Sequence, residues 1–147
     1  MQNSSWLFVV VTLGALGSFD AHACGETSVM SATKTDGKKV ELVLDSGVVE
    51  KTPAWVPGAG EPPLSIADAS EIASAWAAEK YNRFDGIEIR EISLTSLGCT
   101  SSKAHWYYVF DFTPMMDGNR MYSAGNWAAV LMDGTVVGAT EAATTPH

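Results

Sequence analysis

The chain has 147 residues, 46% hydrophobic and 18% charged, with nine Lys plus Arg against 17 Asp plus Glu for a net charge of −8. That is enough chain for one domain with a real core. An acidic protein without a Lys/Arg cluster repels phosphate backbones, so nucleic acid is not an expected partner.

The first element is LFVVVTLGALGSF at 7–19, an uncharged apolar run. It is shorter than the about 20 residues of a membrane span and has the length of a signal-peptide core. DAHAC at 20–24 follows it. Ala21 and Ala23 form the small-x-small pattern behind which a signal peptidase cuts, so 1–23 is expected to be a signal peptide and 24–147 a single exported domain. A lipid on Cys24 is the alternative, but Asp20 interrupts the apolar run and Ala21 stands where a lipidation site carries Leu. The expected location is a periplasm or the exterior, with no membrane attachment after cleavage.

Both cysteines, Cys24 and Cys99, stay in the mature chain, and an oxidising compartment favours pairing an even count. A Cys24–Cys99 bridge would tie the new N-terminus to the domain. The rival fates are a lipidated Cys24 with Cys99 as a packed thiol, or two free thiols.

Residues 24–64 are expected to hold an N-terminal hairpin and a loop. VELVLDSGVVEK at 40–51 places two β-branched runs around Asp45-Ser46-Gly47, a turn signal. TPAWVPGAGEPPL at 52–64 then holds four of the six prolines, which lack a backbone donor, and reads as a surface loop pinned by Trp55.

Ser65 opens the clearest helix, with Asp68 three residues on as a capping-box partner and Leu64 as the preceding staple. Ile66, Ala69, Ile72, Ala73, Trp76 and Lys80 recur at helical spacing and form one apolar stripe closed by a lysine. The helix should end near Asn82, before Asp85-Gly86.

The remainder is strand-rich. IEIREISLTSL at 87–97 alternates at Ile87 and Ile89, then shifts phase to Ile92 and Leu94, which predicts a β-bulge at Arg90 and Glu91. HWYYVFDF at 105–112 puts Trp106, Tyr108, Phe110 and Phe112 on one face and Tyr107, Val109 and Asp111 on the other. After a turn at 116–119 comes a strand over 121–132, joined through Asp133-Gly134 to a last strand at 135–139, with 141–147 as a tail. The expected fold is α+β: one main helix packed on an antiparallel four-strand meander, preceded by a β-hairpin and a Pro/Gly-rich loop. Its core should be Ile72, Trp76, Trp106, Tyr108, Phe110 and Phe112.

No catalytic constellation stands out. His22 leaves with the signal and His147 is the last residue, so only His105 lies inside the domain, too few for a metal site. Gly58-Ala59-Gly60 sits among prolines and opens no helix, so it is no phosphate loop. Ser101, Ser102, His105 and Asp111 are composition rather than a triad. Asp111 is the one carboxylate to watch, and strand alternation reads it as an outward polar residue. The expectation is a non-enzyme with no cofactor and no metal.

Residues 64–139 resemble the PepSY-like domains, within the broader cystatin-like group of one helix on an antiparallel meander. Ala69 and Ala73 match that family's A-x-x-x-A helix, WYYVFDF its aromatic strand, and AAVLMDGTVVG its closing hairpin. The turn Asp133-Gly134-Thr135 is shorter than the family's Asp-x-x-Thr-Gly. The resemblance implies an exported, non-catalytic domain associated with protease pro-regions or with regulation of envelope enzymes. The Gln-x-Val-x-Gly loop of cystatin-like protease inhibitors is missing here.

Two functional classes follow. The first is a protein-interaction or inhibitory module for an envelope or secreted partner, using a sheet edge or the surface carrying Tyr107 and Val109. The second is a carrier or sensor holding a small apolar ligand between helix and sheet, lined by Trp76, Trp106 and Tyr108.

Overall fold

The computed structural model describes residues 25–98 and 105–142 of the chain. Cys24 and Cys99, and with them the expected bridge, lie outside the described residues, as do residues 1–23.

β1 (Glu26–Thr33) and β2 (Lys39–Asp45) form the N-terminal hairpin, turning where the amide of Gly37 donates to the carbonyl of Lys34. The hairpin expected within 40–51 is therefore displaced. Asp45 ends β2 and caps a short helix, α1 (Ser46–Val49), its Oδ1 accepting from the Val48 amide at 3.1 Å. An Asp-Ser-Gly sequence serves a helix N-cap as well as a turn. Residues 47–51 do not return along β2; β1 pairs along one of its edges, and a strand from the C-terminal end pairs with Val40 and Glu41 on the other.

α2 (Ile66–Lys80) follows the Pro/Gly loop, capped as its sequence demands: Ser65 Oγ accepts from the Asp68 amide and donates to the Asp68 carboxylate at 2.7 Å. Its buried residues are Ala69, Ala73 and Ala77, four apart along one face. That smooth strip lets the helix settle close to a sheet whose own side chains supply the bulk. Ile66, expected in the stripe, is 55% exposed in the first turn. Trp55 fixes the preceding loop, its indole donating to the Gly60 carbonyl and its ring edge meeting Trp106.

β3 (Gly86–Ser96), β4 (Trp106–Met116), β6 (Trp127–Leu131) and β7 (Val136–Gly138) make the antiparallel meander in that order, and β5 (Asn119–Arg120) folds back on the end of β4. The fold is α+β, with α2 on one face of this meander. The bulge falls between Ile89 and Glu91, as the phase shift requires. The strand expected over 121–132 begins only at Trp127. Before it, Gly125 turns at φ 90° so close to β2 that a Cβ there would meet Val40 Cβ at 2.9 Å.

β7 continues through Ala139 into β8 (Thr140–Glu141), which leaves the meander and pairs with β2. Residue 141 is thus sheet rather than tail, and its carboxylate holds Lys34 at 3.1 Å and Lys38 at 3.2 Å. The strand that changes sheets joins the hairpin to the meander along one side, with β2 lying against β6 and β7. On the opposite side, no ladder joins β1 to β3 among the described residues.

Two hydrophobic clusters share the meander. On the helix face Tyr108, Phe110, Phe112, Ala128 and Val130 pack with the three alanines. On the hairpin face Tyr107, Val109, Ala129 and Leu131 pack with Leu42, Leu44 and Val49. Of the expected core, Tyr108, Phe110 and Phe112 are buried, whereas Ile72, Trp76 and Trp106 are half-buried around the rim. Three alanines occupy the centre of the helix contact, so the large rings lie beside it; Trp76 spreads over Gly138, where any Cβ would strike the indole.

Candidate functional site

The register of β3 on β4 sorts the side chains of both strands. Ile89 opposes Phe112, Ile92 opposes Phe110 and Leu94 opposes Tyr108, all on the helix face. Glu91 opposes Asp111, Ser93 opposes Val109 and Thr95 opposes Tyr107, on the hairpin face. β3 therefore carries an apolar row toward α2 and a polar row toward the hairpin, and the bulge at Arg90 sets this phase.

The hairpin does not reach across that polar row. Between β1 and β3 lies a groove of about 460 Å³, walled by Thr27–Met30 on one side and by Glu91, Ser93 and Thr95 on the other. Its floor includes Tyr107, Val109 and Asp111 from β4, and one end is closed by Leu97 and Gly98. The span from Glu91 to Ser96 is about 17 Å at the ordinary strand rise, so the groove is elongated.

Tyr107 and Val109 were expected on the face that the helix cannot cover, under either the 40–51 region or a partner. They are 2% and 8% exposed, because β2 covers most of that face with Leu42 and Leu44. They form the floor of a cleft, not a flat docking patch. Burial pushes the Tyr107 phenol up to about 12.

Asp111 is not a solvated outward residue. Its Oδ2 receives the Arg90 guanidinium and also the indole N–H of Trp127, the latter at 3.2 Å. The carboxylate raises the Arg90 pKa, first through the hydrogen bond and then through charge. The bulge thus supplies an arginine that reaches across to the neighbouring strand. Beyond this group lies a second cavity of about 360 Å³, where Asp111, Arg90 and Trp127 are joined by Tyr122 and Ser123.

Between helix and sheet, the space proposed for an apolar ligand is occupied by side chains. Tyr108 is 3% exposed and its hydroxyl donates to the Leu64 carbonyl at 2.9 Å. Phe110 stacks on Phe112 at 6.1 Å, and Trp76 lies against Phe112 and Tyr81.

His105 is half-buried beside Trp106. Among the described residues no group of three His, Cys, Asp or Glu is placed to hold a metal ion, and no helix is long and apolar enough to cross a membrane. Ser101 and Ser102 lie outside the described residues.

Sequence reasoning reached Asp111, Tyr107 and Val109 but not Thr27–Met30, Glu91, Ser93 or Thr95. The signal for the β3 row was present: beyond the phase shift, Glu91, Ser93 and Thr95 alternate with Ile92 and Leu94. What it lacked was the partner wall. The chain matches no protein-family model, no curated protein and no solved structure.

Proposed function

We propose that the protein is an exported, non-catalytic interaction module, and that the groove between β1 and β3 receives an extended segment of an envelope or secreted protein. The observation that carries this reading is the polar row Glu91, Ser93 and Thr95 lining a groove that the hairpin does not close, above a floor of buried Tyr107 and Val109. A dry sandwich core has no use for that row, whereas an extended chain needs polar partners at its edge and apolar contacts beneath. The elongated shape favours a strand-like occupant over a compact molecule. The filled contact between α2 and the meander weighs in the same direction, against a carrier of small apolar ligands. The resemblance to PepSY-like domains and the leader-like segment at 7–19 point to the same class and location.

A photo-crosslinking side chain at position 95 tests the proposal, with position 79 on the exposed side of α2 as control. In the native envelope fraction, position 95 should yield polypeptide adducts and position 79 none. Equal labelling at both, or an apolar small molecule retained by the native protein instead, would reject it.

A further inference from the structure

The charge lining the groove restricts what can enter it. Glu91 and Asp111 both line it, and no Lys or Arg does among the described residues. Asp111 gives Oδ2 to Arg90 and Trp127, while its Oδ1 has no partner among the described residues. Glu91 accepts from Ser93 Oγ at 3.1 Å and feels Arg90 only through charge, with no ion pair within contact distance among the described residues. One guanidinium faces two carboxylates, so this end of the groove keeps a net negative charge and unfilled acceptors. Next along β4 come Val109 and Tyr107, each two residues from the last on the same face.

Resting on the groove reading above, we infer that the site selects a segment with a basic residue at one end and apolar residues two and four positions away. Its ammonium or guanidinium meets Glu91 and the open oxygen of Asp111, and its alternate apolar side chains lie against Val29 and Met30 of the facing wall and the rims of Val109 and Tyr107, which are 8% and 2% exposed. The side chains between point out to water. Period-two recognition follows because β4 and an extended ligand share the strand repeat. An acidic residue in the first position is rejected, since it adds a like charge beside two carboxylates with no cation to receive it.

The probe is a bead library of acetylated heptapeptides with threonine at alternate positions and randomised residues between, screened at low salt with the protein as purified from its native source. The wild-type domain should enrich Lys or Arg at one terminal randomised position and apolar residues at the other two. An enriched peptide should lose affinity by about tenfold when its basic residue becomes Gln, the loss of one charge-assisted hydrogen bond. Glu91→Lys, at a solvent-facing site, should switch the preference to Asp or Glu. Enrichment without a basic preference, or the same basic preference in Glu91→Lys, overturns the inference. Thr95→Arg fills the groove and separates the two claims. If it abolishes an enrichment that shows no basic preference, the groove reading stands and this inference falls. If enrichment survives Thr95→Arg in a variant with a native circular dichroism spectrum, the groove is not the site and both fall. A folded wild type that enriches nothing overturns both as well.

Discussion

The two faces of the meander are built from the same strands and solve burial differently. On the helix face, three alanines at 0% exposure admit the rings of Phe110 and Phe112, and β3, β4, β6 and β7 each contribute an apolar residue. On the hairpin face, Leu42 and Leu44 cover β4, β6 and β7, but the hairpin stops short of β3. The difference is one of width. A helix laid across a sheet reaches several strands with one stripe, whereas a hairpin tied to the far side by β8 covers only what its two strands span. The first face is closed and structural; the second is open along one seam, and that seam is where a ligand has room.

The comparison breaks most visibly in the closed face. Phe110→Ala should cost about 3–5 kcal/mol in denaturant unfolding, the usual penalty for emptying a buried aromatic site. A loss under about 1 kcal/mol would mean that the helix contact collapses readily around the void. Gly138→Ala should cost about 1–3 kcal/mol, because the added Cβ strikes the Trp76 indole. Combining it with Trp76→Ala removes the clash, so the double variant should be more stable than the two single losses added together. Simple additivity would place the strain elsewhere.

A pH experiment sharpens the comparison, because both faces hold desolvated phenols, Tyr81 and Tyr108 on the helix side and Tyr107 on the groove floor. Burial pushes Tyr81, on the helix side, and Tyr107, on the groove floor, up to about 12, with Asp111 adding a smaller upward push on Tyr81. The unfolded phenol titrates near 10. Between about pH 10 and 12 the folded state therefore keeps protons that the unfolded state releases, so stability is intact below 10 and falls as pH rises toward 12. Thermal melts should show this decline, and Tyr107→Phe should lessen it. An unchanged slope would mean that the groove floor is wetter than its burial implies.

The smallest effect belongs to the open seam. Ser93→Ala and Thr95→Ala should each change stability by no more than about 0.5 kcal/mol, as surface substitutions do. A larger loss would show that the polar row is part of the packed sandwich.

Much of the meander was legible from local pattern alone. Ser65 and Asp68 declared the start of α2, Ile89 to Ile92 declared the bulge, and Asp133-Gly134 declared the last turn, because caps, phase and turn chemistry depend on residues a few positions apart. The alternation in 105–112 separated the two faces of β4 before either had a partner. Tertiary structure decided which elements met. β1 escaped notice because its side chains are half-exposed and a bulge at Val29 breaks their alternation. Asp45-Ser46-Gly47 is locally ambiguous between turn and helix cap, and in the folded chain Asp45 takes the cap, accepting from the Val48 amide. Whether Tyr107 and Val109 faced water, a partner or a second core depended on a strand more than sixty residues upstream. Sequence alternation says which side chains share a face; what covers that face is set by chain segments too distant to leave a mark on it.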